Sequence, residues 1–219
     1  MAYPTVSAPY GLKPVNLIGG QVFAGATRQI AIANTAGTGY NTNIFYGDVV
    51  KLVSDGTVEK DTGTTTVAAN GVAGIFLGCT YTNPSTGQKL FANSYPGSVV
   101  ASDILAYVAD DPDQLFKVAL VAGATEDGNG LTIAYLDRTV IGTNAQLVQN
   151  TGSTVTGDSK IGVYTDGNTG TATLPIRIID VVPDTANSSG NFCEVIVKWN
   201  AANVSGLTGG HQYLNPTGV

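Results

Sequence analysis

A chain of 219 residues with 10 Lys and Arg against 16 Asp and Glu has a net charge of −6, and its basic residues stand singly, which argues against a nucleic-acid partner. Hydrophobic residues reach 43%, enough for a real core, while charged residues are only 12%, so Thr, Asn, Gly and Ser carry the polarity and the surface can be covered at small desolvation cost. No apolar run approaches the roughly 20 residues that span a bilayer, so no membrane partner is expected. The opening MAYPTVSAPYGLKP lacks a charged segment followed by an apolar one, which predicts synthesis in a cytoplasm without export.

Pro4, Pro9, Pro14 and the Gly19-Gly20 pair block a helix and a regular central strand, so residues 1–26 read as an extended arm. The arm is too apolar for a disordered tag. It either lies in a groove of a neighbour or folds back as an edge strand of its own domain, and Tyr3, Tyr10, Leu12 and Phe23 are its candidate interaction residues.

Residues 27–200 read as one all-β domain, an antiparallel β-sandwich or jelly roll. Arg28 to Ala33 alternates Ile30 and Ile32 with smaller residues, and Ile44 to Val53 follows as a strand in which Gly47 marks a bulge or a close backbone approach. Asp55-Gly56 and Asn70-Gly71 are hairpin turns, the first joining Val49–Val53 to Thr57–Lys60 and the second joining Thr64–Ala69 to the next strand. That strand, Val72 to Thr82, is expected to be central, with Ile75, Leu77, Cys79 and Tyr81 on one face and Phe76 on the other. Asn83-Pro84-Ser85-Thr86-Gly87 turns the chain into Lys89-Leu90-Phe91. Ile104, Ala106 and Val108 share one face of the next strand, and Phe116, Val118 and Leu120 share one face of the strand after it. Between those two lies the acidic turn Asp110-Asp111-Pro112-Asp113.

Leu131 to Leu136 reads as a short strand and Asn144 to Gln149 as a helical turn. The Thr- and Gly-rich stretch from Asn150 to Gly170 reads as a surface excursion or an interdomain loop around a strand-like Lys160–Tyr164. Thr173–Val182 and Phe192–Trp199 are core strands, with Pro175 at the start of the first or on an edge because it cannot donate to a ladder. Residues 201–219 form a Gly- and Asn-rich tail. No internal sequence repeat is visible.

Catalytic patterns are sparse. The single histidine, His211, reads as an exposed tail residue, no phosphate or dinucleotide loop occurs, and no catalytic residue, cofactor or metal ligand is assigned. A hydrolase built on two carboxylates is the enzymatic alternative. Asp110, Asp111 and Asp113 are hard oxygen ligands, yet their spacing does not match a calcium loop and a solvated turn is the expected state. Cys79 and Cys193 both fall on apolar strand faces and read as buried free thiols rather than a disulfide.

The phrases SAPYGLKPVNLIGG (Ser7–Gly20), NIFYGDVVKLVSDGTVEK (Asn43–Lys60), GIFLGCTYTNPSTGQ (Gly74–Gln88), AYVADDPDQLFKV (Ala106–Val118), SKIGV (Ser159–Val163) and HQYLN (His211–Asn215) resemble small virion structural proteins of tailed bacteriophages of aquatic hosts, in particular capsid decoration or cement proteins. The resemblance implies a jelly-roll-like protein on the outer surface of the phage head. It would trimerise there and bind the major capsid protein, tying adjacent capsomers together. No site residue carries over. The competing reading is a carbohydrate-binding or fibre module, for which Tyr40, Tyr46, Tyr95 and Tyr213 would be exposed aromatic platforms.

Overall fold

The computed structural model describes residues 6, 8–34, 37–63, 71–121, 138–165, 174–185, 192–200 and 210–214. Twelve strands run through them: β1 Lys13–Leu17, β2 Arg28–Ala31, β3 Val49–Leu52, β4 Val58–Lys60, β5 Gly74–Thr82, β6 Lys89–Ala92, β7 Leu105–Ala109, β8 Gln114–Ala119, β9 Asn144–Val148, β10 Gly162–Tyr164, β11 Ile176–Val181 and β12 Glu194–Trp199. They form two six-stranded sheets, one ordered β1-β8-β12-β11-β9-β10 and the other β2-β7-β5-β3-β4 with β6 added to β5. Every strand pairing is antiparallel. The fold is thus the expected all-β antiparallel sandwich. The short helices among the described residues are single 3₁₀ turns, none long enough or apolar enough to cross a membrane.

β5 is central, with β7 on one edge and β3 followed by β6 on the other. Its alternation is not continuous. A one-residue bulge between Phe76 and Cys79, with Gly78 at φ 131°, moves Cys79 and Tyr81 onto the Phe76 side, while Ile75 and Leu77 remain on the opposite one. A strict two-residue period misses this because a bulge reverses the faces of every residue beyond it.

The two sheets repeat one topology. In chain order β2, β3, β4, β5 and β7 correspond to β8, β9, β10, β11 and β12, since β2-β7-β5-β3-β4 has the same neighbours as β8-β12-β11-β9-β10. The bulge in β5 recurs in β11 between Ile178 and Asp180. In each sheet one parallel bridge links the first strand's end back to the third strand, Ile32 to Val58 and Leu120 to Val163. The next amide then donates to the same residue, Ala33 N to Val58 O at 3.0 Å and Val121 N to Val163 O at 2.9 Å. Each sheet therefore rolls back toward its own first strand.

The position before the second strand is also duplicated. Gly47 N donates to Phe76 O and Gly142 N to Ile178 O, both at 2.8 Å, and both glycines hold positive φ, 91° and 83°. A side chain would be strained in that conformation, and at Gly47 the close approach expected from the sequence is to the backbone of Gly11 and Leu12. Residues 27–200 thus hold two successive copies of one β unit. The repeat escapes sequence comparison because few equivalent positions keep their residue, among them Gly47 and Gly142, Leu52 and Leu147, and Val58 and Val163.

Apolar residues segregate accordingly. Phe116, Val118, Leu147, Ile176, Val195 and Trp199 of one sheet meet Leu12, Val49, Val72 and Ile75 in one core. Ile30, Val50, Val58, Phe76, Ala106 and Val108 fill the other, closed by Ile44, Tyr95 and Ile104 from flanking segments.

Two expectations are corrected here. Asn144–Val148 is a strand, not a helical turn, because ladders to β11 and β10 satisfy its backbone on both edges and bury Ala145, Leu147 and Val148. The stretch after Asn150 is not merely a surface excursion, since Ser159 and Ile161 are buried. The hairpin partner Thr64–Ala69, the strand Leu131–Leu136 and most of the tail lie outside the described residues. The Asp55-Gly56 hairpin joins β3 and β4 as expected, and Pro175 directly precedes β11.

Candidate interaction surface

The N-terminal segment divides into a buried part and an exposed part. Leu12 is fully buried in the core, and β1 pairs with β8 despite Pro14, whose missing N–H an edge strand tolerates. Tyr10 donates its hydroxyl to the carboxylate of Glu194, which is itself 3.1 Å from Lys117 Nζ. Lys13 Nζ lies 4.6 Å from the Tyr10 ring centroid. Burial, then Glu194, drives the Tyr10 hydroxyl pKa far above its ordinary value. Of the two readings of the arm, residues 9–17 take the one that folds back as an edge strand of their own domain, with Leu12 and Tyr10 covered by apolar surface of the same chain. Tyr3 lies outside the described residues.

Beyond β1 the chain reverses. Leu17 N donates to Gln21 O at 2.8 Å, Phe23 N to Val15 O at 3.1 Å, and Asn16 bridges Val22, so Gln21–Phe23 lies along the outer edge of β1. From Ile18 to Gln29 every residue except Phe23 is exposed, including Ile18, Val22, Ala24 and Ala26, with Val22 at 75%. This strap joins β1 to β2, which end the ladders of the two sheets. It is charge-free until Arg28. A run of small and apolar residues whose outer backbone edge pairs with no strand among the described residues is a template for another chain. Only the Gly and Ala richness of the stretch hinted at it.

The C-terminal segment 210–214 is not a free tail, and the expectation of an exposed His211 is corrected. Val72 N donates to Gly210 O at 3.0 Å and Gln212 N to Val72 O at 2.8 Å, while the buried Gln212 side chain exchanges two hydrogen bonds with the backbone of Leu52. His211 is 1% exposed, its Nδ1 accepts from Tyr213 N, and its Nε2 is buried without a partner among the described residues.

Burial lowers the His211 pKa to about 4 from the 6.5 of a free imidazole. Below pH 6.5 the unfolded chain takes up the proton first, so stability falls until the folded state protonates near pH 4, by roughly 3 kcal/mol in all. In paired melts from pH 7 to pH 4, wild type should therefore lose stability relative to His211→Phe. A constant difference between the two across that range would rule out the effect.

The acidic turn turns a corner from β7 in one sheet to β8 in the other. It is more than a solvated loop. Asp110 Oδ2 lies 3.0 Å from Arg28 Nε and accepts the Tyr213 hydroxyl at 2.8 Å, Asp113 lies 2.6 Å from Lys198 Nζ, and Asp111 accepts Asp113 N at 2.8 Å. Cations of the chain itself thus relieve the repulsion that a calcium ion would otherwise screen. Among the described residues no three His, Cys, Asp or Glu side chains converge on a metal-sized site.

Of the expected tyrosine platforms, Tyr95 is corrected: it is fully buried, donating to Tyr40 O at 3.0 Å. Tyr40 and Tyr46 are half-buried, while Tyr213 is exposed, with its hydroxyl on Asp110 and its ring beside Arg28. Cys79 and Cys193 are buried free thiols in separate cores, with burial pushing the Cys79 pKa up to about 12. No family model matches the chain, and no curated protein or solved structure is significantly similar to it.

Proposed function

We propose that the protein is a non-enzymatic structural component of a bacteriophage virion, decorating the outer surface of the capsid and bridging adjacent copies of the major capsid protein as a homotrimer. The observation that supports this reading most directly is the exposed strap from Ile18 to Gln29, which offers apolar side chains and an unpaired strand edge with almost no charge to desolvate. An edge of this kind invites pairing with a neighbour. Closed symmetry limits such pairing to a finite oligomer, and many modest contacts repeated over a shell then act together.

The test mixes purified protein with undecorated heads and images them, alongside native mass spectrometry of the free protein. The expected result is a trimer in solution, regular density outside the shell, and heads that better resist heat and osmotic shock. Binding should be only mildly salt-sensitive, because few charges take part. Heads that remain bare and no more robust would overturn the reading.

A further inference from the structure

A second feature lies where the two β units meet. Asn41, Thr42, Asn43, Phe45, Lys60 and Thr62 of the first unit face Gln149, Asn150, Thr151 and Gly152 of the second across a cleft of about 570 Å³. That volume falls within the range of about 300–1,000 Å³ typical of small-molecule sites. Seven of the ten lining residues carry amide or hydroxyl side chains, which both donate and accept hydrogen bonds without carrying charge. Lys60 is the single charged residue of the lining, and Asp48, 2.7 Å from its Nζ beneath the cleft, compensates it. Phe45, the one aromatic residue of the lining, is buried under Gly152 and Lys60 and closes the floor of the cleft.

Gln149 is the most telling group. Its Nε2 donates to Gly63 O at 3.0 Å, tying the units together and fixing the amide, while its Oε1 is buried without a partner among the described residues. Leaving a buried acceptor unpaired costs free energy, and such groups in folded proteins commonly await a donor from outside the chain.

We propose that this cleft binds a neutral saccharide of one or two rings. Hydroxyl groups match the mixed donor and acceptor lining, and one of them would donate to Gln149 Oε1. A compensated lysine and no unpaired carboxylate in the lining make a charged sugar the poorer fit. The inference does not rest on the decoration reading, and either can fail alone. The two surfaces share no residue, so a particle-bound protein could hold both.

The experiment titrates the full chain with glucose, galactose, N-acetylglucosamine, maltose and chitobiose, observed by saturation-transfer NMR and calorimetry. At least one should bind saturably. Gln149→Leu should weaken it about tenfold, the loss of one buried hydrogen bond to the ligand. The paired substitution Asn41→Ala with Thr151→Ala removes two exposed lining groups and should also weaken binding, while leaving the melting temperature unchanged. That pair decides the matter if Gln149→Leu fails to fold. No saturable binding by any of the five sugars, equal binding by wild type and the variants, a preference for sialylated or sulfated sugars, or binding of short Asn- and Thr-containing peptides in place of sugars would each overturn the proposal.

Discussion

Replacing Leu12 with alanine is expected to destabilise the protein by about 2–5 kcal/mol, a large part of a typical domain's margin. Leu12 is fully buried against residues of both sheets, and its backbone N–H donates to Gly47 O at 3.0 Å where two chain segments touch. The neighbouring contact is too close for collapse into the cavity, since even a Cβ at Gly11 would lie 2.6 Å from Ser159 Cβ and 2.8 Å from Gly47 O. A chain beginning at Thr27 would lose Leu12 and also β1, exposing the edge of β8, and should not melt cooperatively. Val22→Thr provides the contrast. Its side chain faces solvent, so stability should stay within about 0.5 kcal/mol while oligomer or capsid affinity falls. Chemical denaturation of both variants separates the roles: a Leu12→Ala protein as stable as wild type would mean that the N-terminal segment is dispensable to the fold.

Local chemistry made much of this fold legible. Asp55-Gly56 encodes its own turn, Gly47 its own close approach, Pro175 its own strand start, and the alternation in β7, β8 and β12 places Val108, Phe116 and Val197 inward. Whatever depended on distant partners was not legible. The bulge at Gly78 is set by pairing with β7, and the strand character of Asn144–Val148 by β10 and β11. His211 is bridged to Val72 and the adjoining Gln212 is held by Leu52, both more than a hundred residues earlier, and nothing in Gly-Gly-His-Gln announces that. The duplicated unit was hidden for the same reason, because hydrogen-bond register repeats while side chains do not. Of the candidate interaction residues, Leu12 and Tyr10 pack against surface of their own chain, which nothing in their local sequence specifies. The amides of the cleft read as ordinary loop polarity until Gln149 was brought against Gly63.

Asp48→Ala should cost about 3–5 kcal/mol, because it would strand a largely buried cation and two hydrogen-bond donors at once. Asp48 is fully buried. Its Oδ2 takes Lys60 Nζ at 2.7 Å and Phe45 N at 2.9 Å, and its Oδ1 takes the Ser159 hydroxyl at 2.6 Å, so one carboxylate fastens β4, the approach to β3 and the second β unit. Burying such a pair is not in itself a strong source of stability, since desolvation offsets much of the attraction. Breaking it from one side is different. Lys60→Met alone should also destabilise, because the carboxylate would keep two hydrogen bonds but lose its counter-charge, and combining it with Asp48→Ala should recover part of the single-variant losses. Ser159→Ala, which leaves the ion pair intact, should cost only about 1 kcal/mol. A double-mutant cycle by denaturant melts measures the coupling directly. If the Asp48 and Lys60 losses simply add, or Asp48→Ala changes stability by less than about 1 kcal/mol, the pair behaves as a solvated surface bridge and is not the junction between the units.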